Sequence, residues 1–141
     1  MTINEKQDQI IADFQVFDDW MDKYQYIIDL SKNLKPLDDI HKSSQNLIKG
    51  CQSNVWLVGD LIDGKIRFTA DSDALITKGI VSLLIDVLSD HTPDEIFDCN
   101  LYFIDGIGLK ENLSPTRSNG LLAMIKQMKI YAMAYKHKQN G

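Results

Sequence analysis

A chain of 141 residues with 44% hydrophobic residues fits a single domain over 1–141 with a genuine core, and its net charge of −5 argues against a nucleic-acid binder, which needs a basic surface to neutralise phosphates. The longest apolar passage, "IVSLLIDVL", is cut by Ser82 and Asp86 and falls short of the roughly 20 apolar residues of a membrane span. The N-terminus, "MTINEKQDQ", has no apolar signal region, so a cytoplasmic protein without membrane contact is expected.

The first third predicts two helices. Ile10, Phe14 and Phe17 recur at i, i+4 and i+7, one helical face. Asp18 or Asp19 can cap a second helix in which Trp20, Tyr24, Ile27 and Ile28 share a face, closed by Pro36. From 36 to 45 the chain is polar and irregular, a loop leading towards Cys51. The pattern then turns to strands. "VWLVGDLI" and "KIRFTA" flank Asp63-Gly64, a pair suited to a type I′ hairpin turn. Ile66, Phe68 and Ala70 alternate with Lys65, Arg67 and Thr69, so one face is buried; the first strand is apolar on both parities and is expected to be more central. Gly59 within it suggests a bulge.

Ser72 or Asp73 can cap the helix "ALITKGIVSLLIDVL", whose buried stripe is Ile76, Ile80, Leu84 and Val87, widened by Val81, Leu83 and Leu88. "TPDE" at 92–95 is a capping box with proline at the first helical position, opening a short helix through Phe97. A long terminal helix follows, with Leu121, Ile125, Met128, Ala132 and Tyr135 as its seam. The order of helix, helix, strand pair and helices is α+β: a small antiparallel sheet, a hairpin over 55–70 plus a further strand, covered by helices.

Little of the chain carries chemistry. "GIG" at 106–108 lacks a third glycine and reads as a turn. His41, His91 and His137 are scattered without metal-ligand spacing, and no metal site is expected. Cys99, in "FDCNLYF", reads as a packing residue. Cys51, in "NLIKGCQSNVWL", differs in its setting. Gly50 permits a positive φ and an unhindered approach, Gln52 and Ser53 offer polar contacts, and Lys49 would favour the thiolate, the reactive form. No histidine or aspartate stands beside Cys51 as a general base, so a Cys–His hydrolase is not indicated, and the residues alone leave a functional and a packing cysteine both open.

Three motifs in order, "NLIKGCQSNVW", "ADSDALITKGIVSLL" and "LSPTRSNGLLAMI", resemble the SufE family of sulfur-acceptor proteins over most of the chain, from about Trp20 into the terminal helix. The resemblance implies an α+β fold similar to the IscU-type scaffolds. It also implies a role in iron–sulfur cluster assembly: accepting persulfide sulfur from a SufS-type cysteine desulfurase, stimulating that enzyme and passing the sulfur on towards a cluster scaffold. The chain would need no cofactor, the partner supplying pyridoxal phosphate, and would act as a transfer partner rather than a stand-alone enzyme. By the same resemblance Cys51 carries the sulfur on a loop that swings out to react, Asp73 matches a position linked to that loop's mobility, and Arg117 one near the partner-facing surface; a homodimer is possible. The competing readings are an iron–sulfur scaffold, for which two cysteines are few, and a non-relay regulator that docks on a desulfurase.

Overall fold

The computed structural model describes residues 1–140, with side chains through Lys138. Helix α1 (Ile3–Phe14) begins in a capping box: Thr2 Oγ1 accepts from the Glu5 amide at 3.0 Å, and Glu5 Oε1 from the Thr2 amide at 2.9 Å. It stops at Phe14, so Phe17 lies beyond the helix, yet its ring still packs 5.1 Å from that of Tyr26. Asp19 caps α2 (Trp20–Leu30) by accepting from the Asp22 amide. The helix gives way to a 3₁₀ turn, Ser31–Asn33, well before Pro36, because the Ser31 hydroxyl bonds back to the Ile28 carbonyl and tightens the last turn.

Strands β1 (Val55–Ile62) and β2 (Lys65–Ser72) pair antiparallel in unbroken register from Val55–Ser72 to Ile62–Lys65. Asp63 and Gly64 have φ of 52° and 81°, the two left-handed residues a type I′ turn requires. There is no bulge at Gly59, which faces Phe68 in register. Its missing side chain serves packing instead, since a Cβ there would come within 3.1 Å of the Tyr131 ring. Among the described residues the sheet has two strands, and neither is central. The expected further strand is reduced to single bridges, Leu47 with Trp56 on the outer edge of β1 and His91 with Ile66 on that of β2.

Helix α3 (Leu75–Leu88) packs on β2, α1 and α2, and nine of its 14 residues are buried, the expected stripe among them. Its N-cap is Ala74, with no side-chain cap; Ser72 and Asp73 are engaged elsewhere. Helix α4 (Pro93–Asp98) has the expected Thr92–Glu95 capping box. Two one-turn helices follow, α5 (Phe103–Gly106) and α6 (Leu109–Asn112), joined through Gly108 at φ 74°. Periodicity cannot show such short helices; a fully buried Gln7 on α1 organises them, donating to the Asn100 carbonyl at 3.0 Å and accepting from the Phe103 amide at 3.1 Å. In α7 (Pro115–Asn140), Leu121, Met128 and Ala132 are buried as expected, together with Met124. Among the described residues no helix is long and apolar enough to cross a membrane.

Among the described residues one charged side chain lies inside. Asp71 of β2, 5% exposed, accepts from the Ser72 amide at 2.8 Å and the Leu37 amide at 3.3 Å, with Lys42 and Lys78 each at 3.3 Å. Burial pushes its pKa up, but the two amides and two ammonium groups outweigh burial and hold the carboxyl below its ordinary value.

Two stability predictions follow from this packing. Gly79 of α3 faces α2 so closely that a Cβ would overlap the Ile27 carbonyl and sit 2.8 Å from Ile27 Cγ2. Helix propensity favours Gly→Ala by about 1 kcal/mol, whereas such overpacking costs about 1–3 kcal/mol. Backbone cannot yield as a side-chain tip can, so Gly79→Ala should lower the urea midpoint. For Asp71, a depressed native pKa means that the unfolded chain binds more protons in acid, so this stabilisation is present above about pH 4 and lost as pH falls below it. Asp71→Asn should cost about 1–3 kcal/mol at pH 7. It should also shrink the loss of unfolding free energy between neutral and acid pH.

Candidate functional site

Residues 46–48 run beside the outer edge of β1, with the Ile48 amide donating to the Val55 carbonyl at 2.8 Å and the Leu57 amide to the Asn46 carbonyl at 2.9 Å. These bonds close the base of a loop over 49–54. Gly50 takes φ 95°, a conformation in which a side chain is strained; there is room for a Cβ, which would lie 3.6 Å from Ala123, so the backbone angle is what calls for glycine.

The far end of the loop is held by Asp73. Its carboxylate accepts from the Asn54 amide at 3.1 Å and from Asn54 Nδ2 at 2.9 Å. In return the Asn54 carbonyl accepts from Ser72 Oγ at 2.8 Å and the Asp73 amide at 3.3 Å. Both residues expected to cap α3 are therefore turned onto the loop, and Asp73 is a clamp rather than a helix cap. Asn54 escaped the sequence reading. A polar residue just before a strand carries no signal of its own, and its partners stand 18 and 19 positions away.

Between these anchors Cys51 is half-buried against α7. Its thiol donates to the Gly120 carbonyl at 3.6 Å, and Gly120 presents no side chain; a Cβ there would lie 3.5 Å from Sγ. Around the sulfur is a pocket of about 280 Å³. Gln52 and Ser53 form its loop side, Thr77 and Ile80 its α3 side, and Thr116, Arg117 and Met124 its α7 side. Burial pushes the Cys51 thiol above its ordinary pKa, and exposed Lys49 does not offset this. The expectation that Lys49 favours the thiolate is thus corrected: docked on α7, the sulfur is a neutral thiol.

Arg117 sits in the first turn of α7, its amide donating to Ser114 Oγ at 3.3 Å. Its exposed guanidinium donates to the Tyr24 hydroxyl at 3.3 Å, which ties α2 to the pocket rim. Cys51, Gln52, Ser53 and Arg117 thus line one pocket, with Gly50 beside it on the loop and Asp73 at the loop's exit. Cys99 belongs elsewhere. Its thiol donates to the Ile96 carbonyl at 3.1 Å, burial raises its pKa, and it borders a separate cavity on another face of α7. His91 is a structural link, its ring nitrogens 3.0 Å from the Ser89 and Met1 carbonyls. Among the described residues no three His, Cys, Asp or Glu side chains are grouped to hold a metal.

The family model described as the Fe-S metabolism associated domain, SufE, matches residues 8–132. An uncharacterized SufE-like protein of Rhizobium meliloti is 42% identical over 130 residues, covering 89% of this chain and 93% of that protein. An uncharacterized SufE-like protein of Synechocystis is 36% identical over 132 residues, covering 94% and 83%. The fold is also that of a hypothetical protein from Thermus thermophilus solved in solution, with a TM-score of 0.75 at 21% identity over 92% of this chain and 94% of that one. The chain belongs to the SufE family, the Fe-S metabolism associated domain.

Proposed function

We propose that the protein is a sulfur relay, taking persulfide sulfur on Cys51 from a SufS-type cysteine desulfurase, stimulating that enzyme and handing the sulfur on for cluster assembly. The observation that carries this reading is a single thiol on a short loop, pinned at both ends and facing a pocket of about 280 Å³. In the transfer step the Cys51 thiolate attacks the outer sulfur of the donor's cysteine persulfide. The donor's S–S bond breaks, its cysteine leaves as a thiolate, and a persulfide forms on Cys51. The rate follows thiolate fraction and access, as in thiol–disulfide exchange.

The docked loop limits both. Burial keeps Cys51 protonated, and its hydrogen bond to Gly120 favours the thiol over the thiolate. Transfer therefore requires the loop to leave α7. The hydrogen bonds joining Asn54 to Asp73 and Ser72 are exposed, each contributing about 1–2 kcal/mol, so release is within reach of partner binding. Back on α7, a persulfide would be shielded from reductants by Ile80 and Met124.

Incubation with desulfurase and cysteine should add the mass of one sulfur atom to Cys51, and Cys51→Ser should abolish both the adduct and the stimulation. Full stimulation by Cys51→Ser would refute the relay. Iodoacetamide labelling of the isolated protein should rise with pH to a midpoint above that of a free thiol, the direction set by burial. Asp73→Asn weakens the clamp, so its labelling should be several-fold faster and its midpoint lower; an unchanged profile would show that Asp73 does not restrain the loop.

A further inference from the structure

Helix α7 carries five of the chain's 15 lysines and arginines and none of its 20 aspartates and glutamates. Two of these cations are engaged by α4 and the residue that ends it. Lys136 pairs with Asp94 at 3.0 Å, and Lys129 donates to the Phe97 and Cys99 carbonyls. Lys126 is exposed and, among the described residues, has no carboxylate within ion-pair distance. The same holds for Lys49, at the foot of the Cys51 loop.

Both ammonium groups border one groove of about 470 Å³. Leu47, Ala123 and Tyr131 contribute apolar surface to it, and Ile130, 39% exposed, stands at its side. No residue of this groove lines the Cys51 pocket, yet the two share the loop as a common wall. Gly50 meets α7 at Ala123, three residues along from Gly120, about 4.5 Å of helix axis from the carbonyl that holds the thiol.

We infer that this groove is a docking site for an apolar segment bearing carboxylates on the sulfur-donating enzyme, an inference that rests on the relay reading. Two unpaired lysines beside the apolar surface of Leu47, Ala123 and Tyr131 complement such a segment. On a chain of net charge −5, this pair of lysines offers a carboxylate-bearing segment a local attraction that the molecule as a whole does not. Its place gives docking a consequence, because an occupant that grips Lys49 grips the stem of the loop, where bound partner can favour the released conformation.

The test is a titration of the source organism's SufS-type desulfurase with Lys49→Glu/Lys126→Glu. At low salt the concentration for half-maximal stimulation should rise about tenfold, with the maximal rate kept within about twofold. Near 0.5 M salt the difference should shrink to about threefold or less as the charges are screened. Iodoacetamide labelling of Cys51 in the isolated variant should stay at the wild-type rate, and Lys49→Arg/Lys126→Arg should titrate as wild type. A wild-type protein that takes up sulfur while the reversal variant titrates identically would overturn the docking site and leave the relay standing. A wild-type protein that takes up no sulfur would overturn both. If the reversal instead abolishes a dimer or binding to a single-stranded oligonucleotide, and leaves the titration unchanged, the groove belongs to that occupant and the inference fails.

Discussion

The close approach of α3 to α2, where Gly79 meets the Ile27 carbonyl without a side chain between them, sets the position of the helix on which the rest of the molecule leans. From there α3 reaches β2 on one side and α1 on another, and it presents Thr77 and Ile80 to the pocket around Cys51. Lys78, on the next position, reaches Asp71 at the end of β2 and fixes where the hairpin meets the helix. The turn between them holds Asp73, so the clamp on the Cys51 loop is placed by the same junction. Core packing and the Cys51 loop therefore share one anchor.

Within that frame the thiol is stored rather than displayed. Burial and the Gly120 carbonyl both act against the thiolate, while the bonds that keep the loop docked lie at the surface, where each contributes little. A thiol held in this way suits the proposed carrier role, because a persulfide left in solvent is readily reduced. The fold makes this possible by giving the loop two kinds of attachment. Its stem is joined to β1 through backbone bonds near the core, whereas its exit is tied by side chains at the surface. Opening can break the second and leave the first.

Elements with long periods or strong local signals were legible in the chain: the Asp63-Gly64 turn, the Thr92–Glu95 box, and the stripe of α3 all stand where the residues put them. The errors share a cause. Gly59 suggested a bulge because its real neighbour, Tyr131, is distant in the chain. Ser72 and Asp73 resemble caps in every local respect, but Asn54 engages both, donating twice to the Asp73 carboxylate and accepting from the Ser72 hydroxyl. Helices α5 and α6 are too short for any period to show, and depend on a buried glutamine from α1.

The residues alone determined that Cys51 follows a glycine able to take a positive φ and precedes a strand able to anchor it, and the motifs around it determined the family. Local chemistry suffices for that, since turn and cap preferences act over a few residues. What the tertiary structure decided is the state of the sulfur. Lys49 next door suggested a thiolate, but proximity in sequence does not set a pKa; desolvation by α7, brought against the loop from some 70 residues away, does. It also turned the lysines of two separate segments, Lys49 and Lys126, onto one groove beside that sulfur. Charge and burial belong to surfaces, and surfaces exist only once the chain has folded.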